Sequence, residues 1–175
     1  DHRDLHSFPT RRSSDLNQEE QDMLFLRQAI ELAKKNVRNQ KGGPFGAIIV
    51  KNNKIIARGT NLVTANNDPT AHAEIIAIRN ACKKLNTFYL DDCVIYASCE
   101  PCPMCLGAIY WAHLQRLVFA ASKKHAANAG FDDDFIYKEI ALNISDRKIR
   151  TSNICCEACE EPFQLWMKNE SKINY

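Results

Sequence analysis

The sequence predicts an α/β layered sandwich, and three observations carry that prediction. Two β-rich runs, Phe45 to Val50 and Ile55 to Gly59, flank Lys51-Asn52-Asn53-Lys54, and asparagines tolerate the positive φ that a tight hairpin needs. Strand and helix patterns then alternate, as in a sheet covered by helices. Finally, an apolar strand, Val94-Ile95-Tyr96-Ala97, runs into the octet Ser98-Cys99-Glu100-Pro101-Cys102-Pro103-Met104-Cys105 and then a helix over Leu106 to His113. Ligand sites in open sheets lie beyond the carboxyl ends of strands. The octet occupies such an end.

The elements follow in order. Residues 1–16 read as a non-native or disordered extension, closer to translated adapter sequence than to a gene's own start. Residues 17–175 read as a single domain. Asn17 and Glu20 form a candidate capping pair, and Leu26, Ala29, Ile30, Ala33 and Val37 recur at helical spacing. That helix ends before Gly42-Gly43-Pro44. After the hairpin, Asn61 to Thr70 is polar and turn-forming. Asp68-Pro69 suits an N-cap followed by a first helical position. A helix is expected from about Ala71 to Leu85, with Ile75, Ile76, Ile78 and Ala81 on its apolar side. Leu117 to Ala120 reads as a short strand, Ser122 to Ala129 as helical, and Pro162 to Lys168 as a short terminal helix.

Bulk properties narrow the function classes. A length of 175 residues suits one domain with a real core. A net charge of +2 exerts no strong pull toward nucleic acid or anionic membrane. No apolar run approaches the roughly 20 residues of a membrane helix, and the first sixteen residues lack the apolar core of a signal peptide. The eight cysteines cluster after a strand, which argues for reduced thiols and metal rather than a disulfide scaffold. A cytoplasmic location is expected.

The chemistry centres on His72-Ala73-Glu74 and the octet. Pro103 sits where a helix's first turn tolerates its missing N–H. A helix N-terminus lowers thiol pKa, and thiolate is the form that binds zinc. His72, Cys102 and Cys105 are the candidate ligands. Three protein ligands leave a fourth position for water, the catalytic arrangement. Glu74 is the candidate proton shuttle. Residues two apart on a regular helix point about 200° apart, so His72 and Glu74 can share a site only at an irregular helix start. Two other readings stay open: a structural zinc knot with Cys99 as fourth ligand, and a redox Cys-x-x-Cys pair. His-x-Glu followed by Pro-Cys-x-x-Cys is the signature of zinc-dependent base deaminases.

On these motifs the chain resembles the cytidine deaminase-like superfamily, and within it the bacterial-type guanine deaminases. The resemblance spans about Asp22 to Tyr175. It rests on Gly42-Gly43-Pro44-Phe45-Gly46, Asn67 through Glu74, Ser98 through Trp111, and the subfamily-specific Ala129-Gly130-Phe131-Asp132-Asp133-Asp134-Phe135-Ile136-Tyr137. It implies a three-layer α/β/α sandwich around a mixed five-stranded sheet, and one zinc per subunit. It implies hydrolysis of guanine to xanthine and ammonia. His72, Cys102 and Cys105 would be the ligands, and Glu74 and Asp133 the catalytic acids. Phe45, Asn61, Ala73, Trp111, Asp133 and Tyr175 would contact the purine. It further implies a homodimer, with roughly residues 140–175 exchanged so that Tyr175 closes the partner's site.

Read without that resemblance, Trp111 is equally a core residue and Asn61 a turn residue. Asp132 to Asp134 form a solvated loop or helix cap, and Tyr175 a frayed end. Cys155-Cys156-Glu157-Ala158-Cys159 departs from the family pattern; its thiols are either extra metal ligands or incidental. A tRNA adenosine deaminase or a cytosine-type deaminase shares the ligand motifs, and a non-catalytic zinc module remains a third class.

Overall fold

The computed structural model describes residues 17–175, so the expectation for residues 1–16 lies outside it. The chain divides into two compact units, one ending at Ser122 and one beginning at Lys123.

The first unit opens with α1 (Gln18–Arg38), started by the expected capping box between Asn17 and Glu20. The hairpin follows as β1 (Gly46–Lys51) and β2 (Lys54–Thr60). Its turn places Asn52 at φ 49° and Asn53 at φ 57°, the two left-handed positions that the asparagine pair predicts. Next come α2 (Val63–Asn66), α3 (Ala73–Leu85), β3 (Val94–Cys99), α4 (Pro103–Trp111) and β4 (Arg116–Ala121).

The sheet is mixed, in the order β2-β1-β3-β4. β1 is antiparallel to β2 and β3, and β3 is parallel to β4. Four strands therefore stand among the described residues where five were expected; no strand of the second unit adds to them.

β1 is buried on both faces, and this creates the three layers. Ala47 and Ile49 join one core with Ala77 and Ala81 of α3 and Ile109 of α4. Ile48 and Val50 join another with Tyr96 of β3 and Phe25, Leu26 and Leu32 of α1. Alternation at period two gives a central strand one face for each helical layer. Ile48 and Ile49 are fully buried, and truncating either to alanine would cost about 2–5 kcal/mol.

Three local expectations need correction. The sheet-facing stripe of α3 is Ala73, Ala77 and Ala81, all fully buried; of the expected residues Ala81 lies on it and Ile78 packs against the same core, whereas Ile75 and Ile76 are only partly buried. Four-residue spacing puts these alanines on one face, and their small size lets the helix lie close. A Cβ at Gly59 on β2 would come within 2.1 Å of the Ala73 carbonyl oxygen. Asp68 does not cap α3: its Oδ1 accepts from the Thr70 N–H at 2.8 Å, closing a separate turn, and the helix starts later, at Ala73. On α1, Val37 is 49 % exposed, whereas Asn36 is buried because its amide has backbone partners inside.

The second unit holds α5 (Lys123–Asn128), α6 (Asp134–Ala141), a 3₁₀ turn (Ile144–Asp146) and α7 (Glu161–Lys168). Not one of its residues is buried. Ile149, Ile154, Phe163 and Leu165 are 80 %, 85 %, 70 % and 69 % exposed. Among the described residues, no helix is long and apolar enough to cross a membrane.

One polar cluster ties α1 to the sheet. Asp22 is buried and accepts from Tyr96 Oη at 2.7 Å, Gln18 Nε2 at 3.0 Å and Arg116 Nη1 at 2.9 Å. Burial by itself would raise its carboxyl, but the hydrogen bonds from Arg116, Tyr96 and Gln18 outweigh it and hold the carboxyl below its usual range. A carboxylate depressed in the folded state stabilises the fold above its unfolded pKa, about 3.9, and that contribution fades as pH falls through the lower folded value. Asp22→Asn is expected to lower the urea midpoint near neutral pH. The gap to the parent is expected to narrow below about pH 4. A gap that stays constant with pH would assign Asp22 a packing role only.

Candidate active site

Two helix starts form the site. His72 is the N-cap of α3, with φ −71° and ψ 157°. Cys102 is the N-cap of α4, with φ −67° and ψ 168°, and Pro103 is the first helical residue after it. Both caps are extended, so each side chain leaves the backbone on a non-helical course. This removes the 200° objection to His72 and Glu74 sharing a site: the rotation applies only between residues that are both helical. Cys105 lies one turn into α4 and is fully buried.

The three ligating atoms converge. Cys102 Sγ lies 3.6 Å and Cys105 Sγ 3.5 Å from His72 Nδ1. All three atoms fall within 4.8 Å of one another, the one such group of three His, Cys, Asp or Glu side chains among the described residues. A tetrahedral zinc with Zn–N near 2.1 Å and Zn–S near 2.3 Å requires N···S separations of about 3.6 Å. The residues present therefore fit that ion. Unpaired N–H groups and the dipoles of two helices also favour thiolate here. The Cys102 thiol is lowered, first by the hydrogen bond from Cys105 and then by His72. The Cys105 thiol is raised by giving that bond and by burial. The proton retained by Cys105 is the one that a divalent ion would displace.

Glu74 is buried. Its Oε2 lies 3.4 Å from Cys105 Sγ, and burial raises its carboxyl. Cys99, the alternative fourth ligand, directs its thiol to the Ser122 carbonyl at 3.6 Å and is not in the converging group. The Glu100 N–H donates to Ala121 at 2.8 Å, holding the octet against the end of β4.

Asn61 is buried beside the same region. The Leu62 N–H donates to the Ala71 carbonyl at 2.9 Å, which sets Asn61 against the segment leading into His72. Its Oδ1 accepts from the N–H groups of Gly43 and Val63, both at 3.3 Å. Those two donors fix which way the amide faces. Sequence reasoning missed what holds this arrangement. Asn36 Nδ2 donates to the Gly43 carbonyl at 2.9 Å and the Asn61 carbonyl at 2.8 Å. Losing it would leave the Asn61 carbonyl short of a donor, at about 1–3 kcal/mol, while the Gly43 carbonyl keeps the Phe45 N–H at 2.9 Å. A buried asparagine on the apolar stripe of α1 was the available signal. Gly42 has no room for a side chain, since a Cβ there would come within 2.3 Å of the Asn61 carbonyl oxygen.

The remaining candidates divide between the units. Ala73 is the first residue of α3, where backbone N–H groups lack helical partners. Phe45 is half-buried and packs on the α3 side of the sheet. Trp111 is 69 % exposed, so it is not a core residue of this chain. Asp133 and Tyr175 belong to the second unit. Asp133 occupies the N-cap of α6 without a side-chain cap bond; Asp132 Oδ1 accepts the Asp134 N–H at 3.0 Å instead. Tyr175 is 73 % exposed and meets the Trp166 ring edge-on at 6.5 Å.

Residues 19–121 match the cytidine and deoxycytidylate deaminase zinc-binding region. The chain belongs to this family of zinc-binding deaminases. It is 53 % identical to the guanine deaminase of Bacillus subtilis over 151 residues, covering 86 % of this chain and 97 % of that one. The crystal structure of the Bacillus subtilis guanine deaminase superposes with a TM-score of 0.87 at 51 % identity, covering 91 % of this chain and 99 % of that one. A tRNA-specific adenosine deaminase of Aquifex aeolicus is 46 % identical over 58 % of this chain and 67 % of its own length. A structure from work on A-to-I editing by tRNA A34 deaminases gives a TM-score of 0.55 at 37 % identity, covering 57 % of this chain and 76 % of that one.

Cys99→Ser is expected to retain stoichiometric zinc by elemental analysis, and Cys102→Ser to lose it. Loss of zinc from the Cys99 variant would restore the closed four-ligand reading.

Proposed function

We propose that this deaminase hydrolyses guanine to xanthine and ammonia. The observation that carries the proposal is the convergence of His72, Cys102 and Cys105 with Glu74 alongside, in a chain that superposes on a guanine deaminase over 91 % of its length. His72, Cys102 and Cys105 would hold zinc. When bound, zinc supplies Lewis acidity that brings the pKa of a water near 7. Glu74 takes a proton from the attacking water and delivers it to the ring nitrogen; it then takes the second proton from the hydroxyl added at C2 and passes it to the amine, so that the C–N bond breaks, ammonia leaves and the carbonyl of xanthine forms. Burial raises the affinity of Glu74 for a proton, which suits a group that must both accept and return one.

Recognition follows from the donors and acceptors of guanine. Its N7 and O6 are acceptors, and Asn61 Nδ2 would donate to one of them. Its N1–H and exocyclic amine are donors, and an ionised Asp133 accepts from such groups with charge-assisted bonds. Asp133 also assists proton movement. Phe45 and Trp111 supply apolar walls, and the backbone of Ala73 a polar contact. Free thiols that must bind metal suit a reducing, cytoplasmic compartment.

The second unit supports a dimer in which about residues 140–175 are exchanged and Tyr175 closes the partner's site. A segment with no buried residue and many exposed apolar ones lacks the core an independent unit needs. A second copy of the chain would cover those apolar side chains.

Ultraviolet assays with guanine, cytosine and a tRNA anticodon hairpin, with metal analysis on the same sample, test the substrate. Turnover of guanine alone is expected; turnover of the hairpin without guanine would assign the tRNA activity instead. Glu74→Ala is expected to slow guanine turnover ~10²–10⁴-fold with zinc retained. A silent Glu74 variant would leave only a zinc-stabilised module. Sedimentation is expected to give a dimer. Asp133→Asn and Tyr175→Ala are expected to reduce guanine turnover without loss of zinc. A fully active monomer would remove the partner's Tyr175 from the site.

A further inference from the structure

We propose that Cys155 and Cys159 form a thiol–disulfide exchange site, separate from the metal cysteines, that closes reversibly on reaction with small disulfides. The two thiols are exposed, and their sulfurs lie 3.0 Å apart. A backbone turn creates the pairing: the Cys159 N–H donates to Cys156 at 3.0 Å and the Glu161 N–H to Ala158 at 3.2 Å. Glu161 then begins α7. The chain between the sulfurs is thus already folded back, so closing the bridge requires little further ordering.

The other cysteines lack this combination. Cys102 and Cys105 converge on His72. Cys93 is buried and its thiol is pushed up to about 12, first by burial. Cys82 is half-buried and likewise raised by burial. Cys156 is exposed, but its sulfur is not part of the 3.0 Å pair. Thiolate character and access decide which thiols react, and Cys155 and Cys159 have a neighbour as well as access.

Either sulfur can open the exchange, since either can be the donor in the shared contact. The thiolate of one displaces one half of a low-molecular-weight disulfide, breaking its S–S bond and releasing a thiol. The other gives up its proton and attacks the protein sulfur of the mixed disulfide, releasing the second thiol. Two protein thiols are oxidised and one small disulfide is reduced to two thiols.

The test uses the zinc-loaded full chain incubated with oxidised glutathione, then alkylation, trypsin and mass spectrometry. Cys155, Cys156 and Cys159 fall on one tryptic peptide, Thr151 to Lys168, apart from Cys102 and Cys105. That peptide is expected to lose the mass of two hydrogens and to keep one alkylated cysteine, Cys156. Reduced glutathione in excess should reverse the change. Cys155→Ser and Cys159→Ser should each abolish the bridge and trap a glutathione adduct on the remaining partner, while Cys156→Ser should leave the bridge intact. Three separately alkylated cysteines, a bridge to Cys156, or a link between two chains on a non-reducing gel would each overturn the proposal.

Discussion

Everything at the site depends on two helices beginning at one place. A helix's first N–H groups lack partners and carry partial positive charge, so an N-terminus attracts thiolate and carboxylate. Here α3 and α4 each spend their cap on a metal-binding side chain, His72 and Cys102, rather than on a Ser or Asp that would bond the backbone. His72 makes no capping bond to α3, and Cys102 takes its hydrogen bond from Cys105 one turn into α4. The imidazole and the two sulfurs thereby face each other across the gap. The extended backbone of His72 has a second effect: it lets Glu74, two residues on, reach the same group of atoms.

Precision in that arrangement comes from small residues and buried amides. Ala73, Ala77 and Ala81 allow α3 to lie close on the sheet, and Gly59 removes the last obstacle under it. On the neighbouring side, Asn36 bridges the Gly43 and Asn61 carbonyls while Asn61 returns a bond to the Gly43 N–H. A fully bonded polar group inside a core fixes geometry that apolar contacts leave adjustable. The Ser98 hydroxyl accepting from the Gly46 N–H at 3.0 Å ties the strand before the octet to the glycine-rich loop.

Much of this was legible in the sequence because it is local. The capping box at Asn17, the asparagine turn, the strand into the octet and the Pro103 helix start are all encoded within a few residues. The spacing of His72, Cys102 and Cys105 pointed to the side chains that converge. What escaped is non-local. The spacing of α1 admits either Asn36 or Val37 to its apolar stripe and hydrophobicity favours Val37; the partners that settle it for Asn36, at Gly43 and Asn61, lie beyond the helix. The isoleucines of α3 outranked its alanines in hydrophobicity, yet how close the helix lies decides the stripe, and closeness depends on Gly59 across the gap. Asp68 had a nearer customer in Thr70 than in the helix it seemed to start. Trp111 reads equally as core or pocket by type and stands exposed at the last position of α4.

Chemistry and selectivity are carried by different parts of the chain. The converging ligands, Glu74 and Asn61 all lie before Ser122, and the family region ends at residue 121. Deaminases of several bases share that region. On the function proposed above, Asp133 and Tyr175 distinguish guanine, and both lie in a unit without a buried residue. Such a unit has no core of its own to order it. On the same proposal, mutations that weaken assembly would raise KM for the base while sparing the metal, because the three converging ligands all lie in the first unit.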